Sequence, residues 1–191
     1  MAKYLPLVVL SILLVSGCAG AGGSTNFVTR AALLVDDFEG GLEKWDKMAT
    51  DSIIGDFSTT NDAKDGKGAL HISFTERKKK GGWFTVLAKI DTWPEGANQI
   101  SFWAKGEKPT NAKVYINLGA WPDMKGFASV FNIETEWNKY TIPLSKFKFD
   151  WGMGDNKTLD ISKINGVGFE PKDIPATFLI DNIQIENSRN Q

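Results

Sequence analysis

The chain has 191 residues, which suits one domain of about 100–200 residues with a core that needs no disulfide. The formal net charge is −1 and the sequence pI is about 5.9, so no excess of Lys and Arg is present to neutralise nucleic-acid phosphates. One His and one Cys leave almost no material for a His/Cys metal centre or a Cys/His dyad. The chain has seven Trp and twelve Phe, so aromatic rings and carboxylates are its main source of binding chemistry.

The N-terminus has the pattern of an export signal. Lys3 supplies a positive charge, and residues 4–15 form an apolar run that is short for a membrane span. Residues 15–17 are small or aliphatic, and with the Cys18 that follows they resemble the lipobox of bacterial lipoproteins. We therefore expect residues 1–17 to be a lipoprotein signal peptide and Cys18 to be the acylated N-terminus. The alternative is an ordinary signal peptide followed by an incidental Cys.

The residues after the predicted cleavage point favour a membrane-anchored domain. Residues 18–31 begin with the acylated Cys and continue with small residues that are typical of a flexible tether. Acyl chains such as palmitate contribute about 0.8 kcal/mol per buried CH₂, so two or three of them hold a soluble domain on a membrane. Ala19 is not the Asp that often retains lipoproteins at the inner membrane. We therefore expect the cell envelope, at the outer membrane or cell surface of a bacterium.

From residue 32 onward, short apolar runs alternate with Gly, Pro, Asp and Asn, without an amphipathic helical stripe of three turns. This pattern predicts an all-β sandwich of the jelly-roll type over residues 32–187, followed by a tail at 188–191. The nine predicted strands are residues 32–38, 69–75, 82–90, 99–105, 112–118, 127–133, 139–144, 164–169 and 177–185.

Alternation along two of these strands places rings opposite the aliphatic side chains. Trp103 alternates with Phe102 and Ala104, and Tyr115 and Asn117 alternate with aliphatic neighbours in the same way. We expect Trp103, Tyr115 and Asn117 to lie on a non-core sheet face. The alternative is that loops cover this face and the rings form a minor core, because large aromatic side chains are mostly buried.

A third group of rings lies in the stretch KFKFDWGMGDN, residues 146–156. Phe147, Phe149 and Trp151 occupy alternate positions, and Asp150 stands beside the last ring. In an extended chain, alternate side chains share a face, so we expect the three rings to form one row that leads into the glycine-rich turn.

Five segments carry a family resemblance: LLVDDFEGG, GGWFTVLAKI, QISFWAKG, TEWNKYTIPLSKF and FLIDNIQIE, which span residues 33–186. Together they resemble a family 11 carbohydrate-binding module, a galactose-binding-domain-like jelly roll attached to glucan-degrading enzymes. The same fold ends occur in the complex I intermediate-associated protein family, a related jelly roll without an established sugar ligand. The resemblance implies that one β-glucan chain binds in a cleft on the concave sheet.

The resemblance also implies site residues. Asp150 and Trp151 stand where the family has an Asp followed by an aromatic residue. There a ring can lie against the CH face of a pyranose while the carboxylate accepts hydrogen bonds from its hydroxyls. Elsewhere the sequence departs from the family, because the cleft Asp of the penultimate strand falls on Asn165. The predicted binding residues are Trp151, Asp150, Trp103, Tyr115, Asn117, Trp83, Trp121, Asp123 and Asn165.

Carboxylates at the first and last predicted strands, together with one turn, form a second candidate site. Asp37 and Glu39 follow the first predicted strand, Asp181 lies in the last, and residues 62–68 form an Asp/Gly turn. First and last strands are neighbours in this kind of fold, so these groups can supply the six to eight oxygens that Ca²⁺ prefers. Relatives carry calcium there, and we predict a structural Ca²⁺. The alternative is a strand pair in which Asp181 binds backbone N–H groups.

An enzyme needs a placed acid and base, and nothing in the sequence pairs the candidates Asp123, Asp150 and Glu170. Nucleophile, zinc and nucleotide motifs are absent from the sequence. We predict a non-catalytic, surface-anchored lipoprotein that binds a polysaccharide, a β-glucan, in an aromatic-lined cleft, with a glycan-degrading enzyme as a candidate partner. The alternatives are a scaffold module of the complex I intermediate-associated type that binds a protein partner and, third, a glycan lyase or hydrolase.

Overall fold

The structure is a computed structural model that describes residues 32–120, 122–153 and 155–188. The predicted signal peptide, Cys18, the tether and Trp121 lie outside the described residues. Within these ranges, no helix has both the length and the apolar character needed to cross a membrane.

The described chain is built almost wholly of strands. Two short 3-10 helices occupy Leu144–Lys146 and Ile161–Lys163. The twelve strands are β1 (Ala32–Asp36), β2 (Trp45–Ala49), β3 (Ile53–Thr60), β4 (Ala69–Arg77), β5 (Phe84–Lys89), β6 (Gln99–Gly106), β7 (Thr110–Leu118), β8 (Lys125–Ile133), β9 (Asn138–Pro143), β10 (Lys148–Gly152), β11 (Ile164–Pro171) and β12 (Ala176–Glu186).

The strands form two antiparallel sheets of six strands each. The front sheet has the order β10-β8-β7-β11-β5-β2, and the back sheet has the order β3-β4-β12-β6-β9 with β1 paired to β12. Phe102 of the back sheet makes edge contacts with Phe131 and Phe169 of the front sheet, each at a ring-centroid distance of 5.0 Å. The sheets therefore pack around one aromatic and aliphatic core, and the predicted all-β jelly-roll sandwich is confirmed.

All nine predicted strands are present, and three further strands, β2, β3 and β10, were not predicted. Each of these three lies at the edge of its sheet. Edge strands bury less surface and keep polar groups at their rims, so their apolar alternation is weak. In β3, the half-buried Gly55 and Phe57 alternate with the exposed Asp56 and Ser58, and no residue of the strand is fully buried.

The ring row predicted at residues 147–151 is interrupted by a β-bulge. Phe149 pairs with Phe127 of β8, but Trp151 pairs with Gly126, so Asp150 is an extra residue in β10. Phe147 and Phe149 pack against the core, whereas Trp151 faces outward with Asp150. The prediction of one continuous row is therefore wrong, because a bulge re-aims the side chains that follow it.

Candidate functional site

The outer face of the front sheet carries rows of side chains that run across the strands. Registered pairs and one hydrogen bond define the first row, which is Met48, Thr85, Glu170, Lys113 and Val130. The second row is Asp46, Leu87, Gly168, Tyr115, Ala128 and Lys148. The third row is Lys89, Gly166, Asn117, Gly126 and Trp151. Glycine and alanine in the second and third rows leave space above the sheet.

A cleft of about 450 Å³ occupies this face, within the range of about 300–1,000 Å³ that is usual for ligand pockets. It extends from edge strand β2 to edge strand β10 and so crosses the whole front sheet. Its lining residues are Met48, Trp83, Thr85, Lys113, Tyr115, Asn117, Met124, Asp150, Trp151 and Glu170.

Two indoles lie toward opposite edges of the front sheet. Trp83 immediately precedes β5 and is 42% exposed, which is unusual for a Trp. Trp151 lies on the other side and rests on Gly126, because a Cβ built on that glycine would come within 3.0 Å of three atoms of the indole. Glycine is therefore the residue at position 126 that lets this ring lie against strand β8.

The polar floor between the indoles is centred on the ammonium of Lys113. Lys113 Nζ donates to Tyr115 Oη at 2.9 Å and lies 3.0 and 3.3 Å from the carboxylate oxygens of Asp150. Glu170 Oε1 is 3.8 Å from the same nitrogen. The Tyr115 hydroxyl donates to Asp150, and the Thr85 hydroxyl donates to Glu170 at 3.3 Å. Five side chains from four strands thus form one connected network.

Burial changes the ionisation of two members of this network. It raises the pKa of the Tyr115 hydroxyl well above its ordinary value, and the hydrogen bond to Asp150 adds to that rise. Tyr115 therefore remains a neutral donor. Burial also raises the pKa of the Glu170 carboxyl, and the positive charge of Lys113 opposes that rise.

Asn117 brings an amide to the cleft. Its side chain lines the cavity although the residue is only 3% exposed, and its Oδ1 atom is buried without a hydrogen-bond partner in the described part of the chain. A buried acceptor without a partner costs about 1–3 kcal/mol. Because Oδ1 itself has almost no exposed surface, the amide must rotate to offer it to a ligand donor in the cleft.

The cleft brings together five of the predicted binding residues: Trp83, Tyr115, Asn117, Asp150 and Trp151. Sequence reasoning missed Met48, Thr85, Lys113 and Met124 and considered Glu170 only as a catalytic candidate. Alternation already placed Lys113 beside Tyr115, but the contacts among β7, β10 and β11 depend on strand order, which alternation does not contain.

Trp103 does not belong to the cleft. It lies on β6 of the back sheet, between Asp181 of β12 and Lys139 of β9, whereas Tyr115 lies on β7 of the front sheet. Lys64 Nζ stands 4.5 Å above the Trp103 ring centroid and covers one of its faces. The expected shared face is therefore wrong, because alternation distinguishes core from outer positions but not one outer face from the other.

Two further predicted binding residues lie outside the cleft lining. Asn165 is exposed at a register shift in β11, and its Nδ2 donates to the carbonyl of Gly119 at 2.7 Å, so it holds a turn. Asp123 is exposed in the turn between β7 and β8. The predicted place of Asn165 in the cleft is therefore wrong, because its side chain is bonded to this turn. Asp123 stays a predicted binding residue, exposed beside the cleft-lining Met124. Trp121 is outside the described residues.

The carboxylates predicted to bind calcium surround the turn at residues 62–68, on the back-sheet side. Asp181 Oδ2 accepts from the backbone N–H groups of Lys64 and Asp65, at 2.8 and 2.9 Å. Glu39 Oε1 accepts from two N–H groups of the same turn, and Asp37 Oδ1 accepts from the Glu39 N–H at 3.3 Å. These carboxylates therefore cap a turn, as the alternative reading of the sequence expected.

The side chains of this region do not by themselves form a metal cage. Among the residues that the structure describes, no group of three or more His, Cys, Asp or Glu side chains is placed to hold a metal ion. One observation does suit a cation, because Asp181 Oδ1 is fully buried and has no partner within the described chain. A calcium ion there would need backbone carbonyls for most of its ligands.

The fold has similar solved structures. The family 11 carbohydrate-binding module from Clostridium thermocellum, in complex with a beta-1,3-1,4-mixed-linked tetrasaccharide, matches with a TM-score of 0.72 and 17% identity over 84% of this chain and 98% of that one. The family 11 module of the cellulosomal cellulase Lic26A-Cel5E of Clostridium thermocellum matches with a TM-score of 0.72 and 17% identity over 84% and 96%. A family 30 carbohydrate-binding module matches with a TM-score of 0.62 and 17% identity over 82% and 99%.

The fold is thus the β-sandwich that these carbohydrate-binding modules share. Residues 37–187 match the family model described as carbohydrate binding domain 30, and the chain belongs to that family. Comparison with curated proteins gives no match. The predicted resemblance to a carbohydrate-binding module is confirmed, with family 30 as the matching sequence model. Neither that model nor the structures named above support a relation to the complex I intermediate-associated family.

Proposed function

We propose that this carbohydrate-binding module is non-catalytic and holds one β-glucan chain in the cleft of the front sheet. The observation that carries the proposal is the cleft itself, where Trp83 and Trp151 stand on either side of a polar floor. Indole faces suit the CH faces of pyranose rings, and the carboxylate, amide and hydroxyl groups between them suit sugar hydroxyls.

The magnitudes agree with weak binding to a polymer. A ring that uses one face contributes about 1–2 kcal/mol, at about 25 cal/mol per Å² over roughly a third of its surface. Two indoles and a few hydrogen bonds of about 1 kcal/mol each, less the cost of immobilising the sugar, correspond to a Kd between about 10 μM and 1 mM. Many repeats on one polymer then multiply retention.

A β-glucan is the ligand class favoured by the structural neighbours. The matched family 11 module is described in complex with a mixed-linked β-1,3-1,4 tetrasaccharide, and its chain is covered almost completely by this one. An uncharged chain also suits a floor whose only ammonium already contacts two carboxylates and a phenol.

The position of Lys113 supports a binding role over hydrolysis. A glycosidase needs two carboxyls that flank the scissile bond about 5–5.5 or 6.5–9.5 Å apart. Here the Lys113 ammonium is within 4.0 Å of both Asp150 and Glu170 and so occupies the region between them. Release of reducing ends from a glycan by the wild type, lost in the variant Asp150→Ala, would instead support a catalytic function.

The test is affinity electrophoresis of the mature domain in gels that contain barley β-glucan, lichenan, laminarin or xyloglucan. We expect retardation in at least one β-glucan relative to a reference protein that binds no sugar. Normal mobility in every gel, together with no signal on a glycan array, would contradict the proposal and turn attention to a protein partner for the same face.

We also propose that the module is anchored in the cell envelope through acylated Cys18, with the outer membrane as its destination. The support is the sequence of the export signal, since Cys18 lies outside the described residues. Wild-type cells should incorporate labelled palmitate into the protein and place it in the membrane fraction. Cys18→Ala should remove the label, and retention of label in that variant would reject acylation at this residue.

A structural Ca²⁺ beside Glu39 and Asp181 completes the proposal. Its support is the unpartnered buried oxygen of Asp181, which would gain a cation as its partner. The residues that would contribute side-chain oxygens are Asp37, Glu39 and Asp181. An ion there would tie β12 to the turn at residues 62–68, on the sheet opposite the cleft.

A further inference from the structure

The polar floor of the cleft depends on a single cation. Among the described residues that line the cleft, Lys113 is the only Lys or Arg, and it is about one-fifth exposed. Its ammonium contacts groups on three strands: Tyr115 on β7, Asp150 on β10 and Glu170 on β11. The remaining neighbours in its cross-strand row, Thr85 and Val130, do not titrate near neutral pH.

Lys113 also links the edge strand β10 to the middle of the sheet. In the order β10-β8-β7, strand β8 lies between Lys113 and Asp150; it presents Val130 beside Lys113 and small side chains at Gly126 and Ala128 nearer to Asp150. The ion pair therefore passes over β8. Its acceptor, Asp150, is the extra residue of the bulge that turns Trp151 outward.

Removing the ammonium would leave two carboxylates and a buried phenol in one half-buried network. Like charges in such a site favour protonation of one carboxyl, because an opposite charge that had stabilised the anionic forms is gone. The carboxyl of Glu170 is the more sensitive one, since burial already raises its pKa and the charge of Lys113 opposes that rise. A protonated carboxyl has lost part of its capacity to accept sugar hydroxyls.

We propose that Lys113 is the positioning residue of the cleft: its ammonium keeps Asp150 and Glu170 in place as anionic acceptors and, through Asp150, holds the bulge that presents Trp151. The inference rests on the proposed function for its effect on glycans. Its effect on ionisation can be measured on the free protein.

The experiment compares Lys113→Met, which keeps the length of the side chain without its charge, with Lys113→Arg, which restores the charge. Lys148→Met is the matched control, because Lys148 is exposed on β10 and does not line the cleft. Glucan retention is measured between pH 4 and pH 8, and the Glu170 titration midpoint is measured by carboxyl ¹³C NMR without ligand.

In Lys113→Met, we expect the Glu170 midpoint and the pH of half-maximal retention to rise by about one pH unit or more, as expected on losing a neighbouring opposite charge. Lys113→Arg should recover most of the shift, and Lys148→Met should follow the wild type. In the double variant Lys113→Met with Glu170→Gln, the acid-dependent loss of retention should diminish.

An unchanged Glu170 midpoint in Lys113→Met would overturn the role of Lys113 in ionisation. Full glucan retention by Lys113→Met at pH 8, where both carboxyls are anionic, would overturn its role in holding the bulge that presents Trp151. If the wild type binds no glycan, the proposed function fails, but the NMR midpoint still decides the role of Lys113 in ionisation. A raised midpoint would then support that role, and an unmoved one would reject it.

Discussion

The outer faces of the two sheets differ in what lies above their tryptophans. On the front sheet, Trp151 rests on Gly126 and borders an open cleft. On the back sheet, Trp103 lies under the ammonium of Lys64, whose backbone N–H binds Asp181. Trp103 leaves the core by alternation along β6, whereas Trp151 is turned outward by the bulge at Asp150 and lines the cleft.

The difference shows what makes an outer ring available. Small residues on the neighbouring strand create space beside Trp151, whereas the turn at residues 62–68 crosses the back sheet and brings Lys64 over Trp103. Each face also holds one buried oxygen without a partner in the described chain, Asn117 Oδ1 at the front and Asp181 Oδ1 at the back. We expect the first to act in sugar binding and the second in cation binding.

The largest effect should separate the two indoles directly. Trp151→Ala should weaken binding to barley β-glucan by about 5–30-fold, the equivalent of the 1–2 kcal/mol contributed by one ring face. Trp103→Ala should leave binding unchanged. Affinity electrophoresis measures both, and the melting temperature of Trp151→Ala should stay within a few degrees of the wild type. Equal losses in the two variants would remove the distinction between the faces.

A smaller effect should come from the residue beneath the front indole. Gly126→Ala places a methyl group where the Trp151 ring lies, so the ring must move away from β8. We expect binding to fall by about 5-fold with little change in stability, because the displaced ring is at the surface. Ala128→Ser, two residues along the same strand, serves as the control. Full affinity in Gly126→Ala would show that the position of the indole is not critical.

The unpartnered amide should show opposite effects on binding and stability. Asn117→Leu removes a buried acceptor that has no partner, so the free energy of unfolding should stay the same or increase. Binding should weaken by about 5-fold, the equivalent of one hydrogen bond of about 1 kcal/mol. Urea denaturation and isothermal titration with a soluble β-glucan measure the two quantities. A large loss of stability would instead assign Asn117 a structural role.

The smallest effect concerns the back-sheet side. If Ca²⁺ bridges Asp181 and Glu39, EDTA should lower the melting temperature by a few degrees, because an ion bound only to the folded state stabilises it. Glucan retention at 25 °C should remain, since the cleft lies on the other sheet. An unchanged melting curve, with no metal found by elemental analysis, would leave the turn held by backbone hydrogen bonds to the carboxylates.

The sequence predicted the strands in which apolar and polar residues alternate strongly. It did not predict the features that depend on which strands pair with one another. Nine strands could be read from their apolar runs, but edge strands β2, β3 and β10 carry too few buried residues to produce a clear pattern. The bulge at Asp150 depends on how β10 pairs with β8, and the local sequence does not indicate this pairing. For this reason Asp150 and Trp151 were predicted as a pair, while the face that they share was not.

The candidate site was likewise predicted only in part. Chemistry and family resemblance were enough to select Asp150 and Trp151, and alternation added Tyr115 and Asn117. Lys113 was missed because a lysine between aliphatic residues in a strand is usually a solvated one. Its role follows only from the strand order that brings β10 and β11 to either side of β7. Trp103 was included wrongly because the sequence does not say to which sheet a strand belongs.

The cleft begins at Met48 on one edge strand and ends at Trp151 on the other, so its long axis runs from rim to rim of the front sheet. If the cleft binds a glucan as proposed, it would bind internal segments of the chain and would not require a chain end, so the number of binding sites on a glucan would scale with the total chain length. Cutting a glucan into shorter but still long pieces would therefore leave the number of binding sites per unit mass of glucan nearly constant.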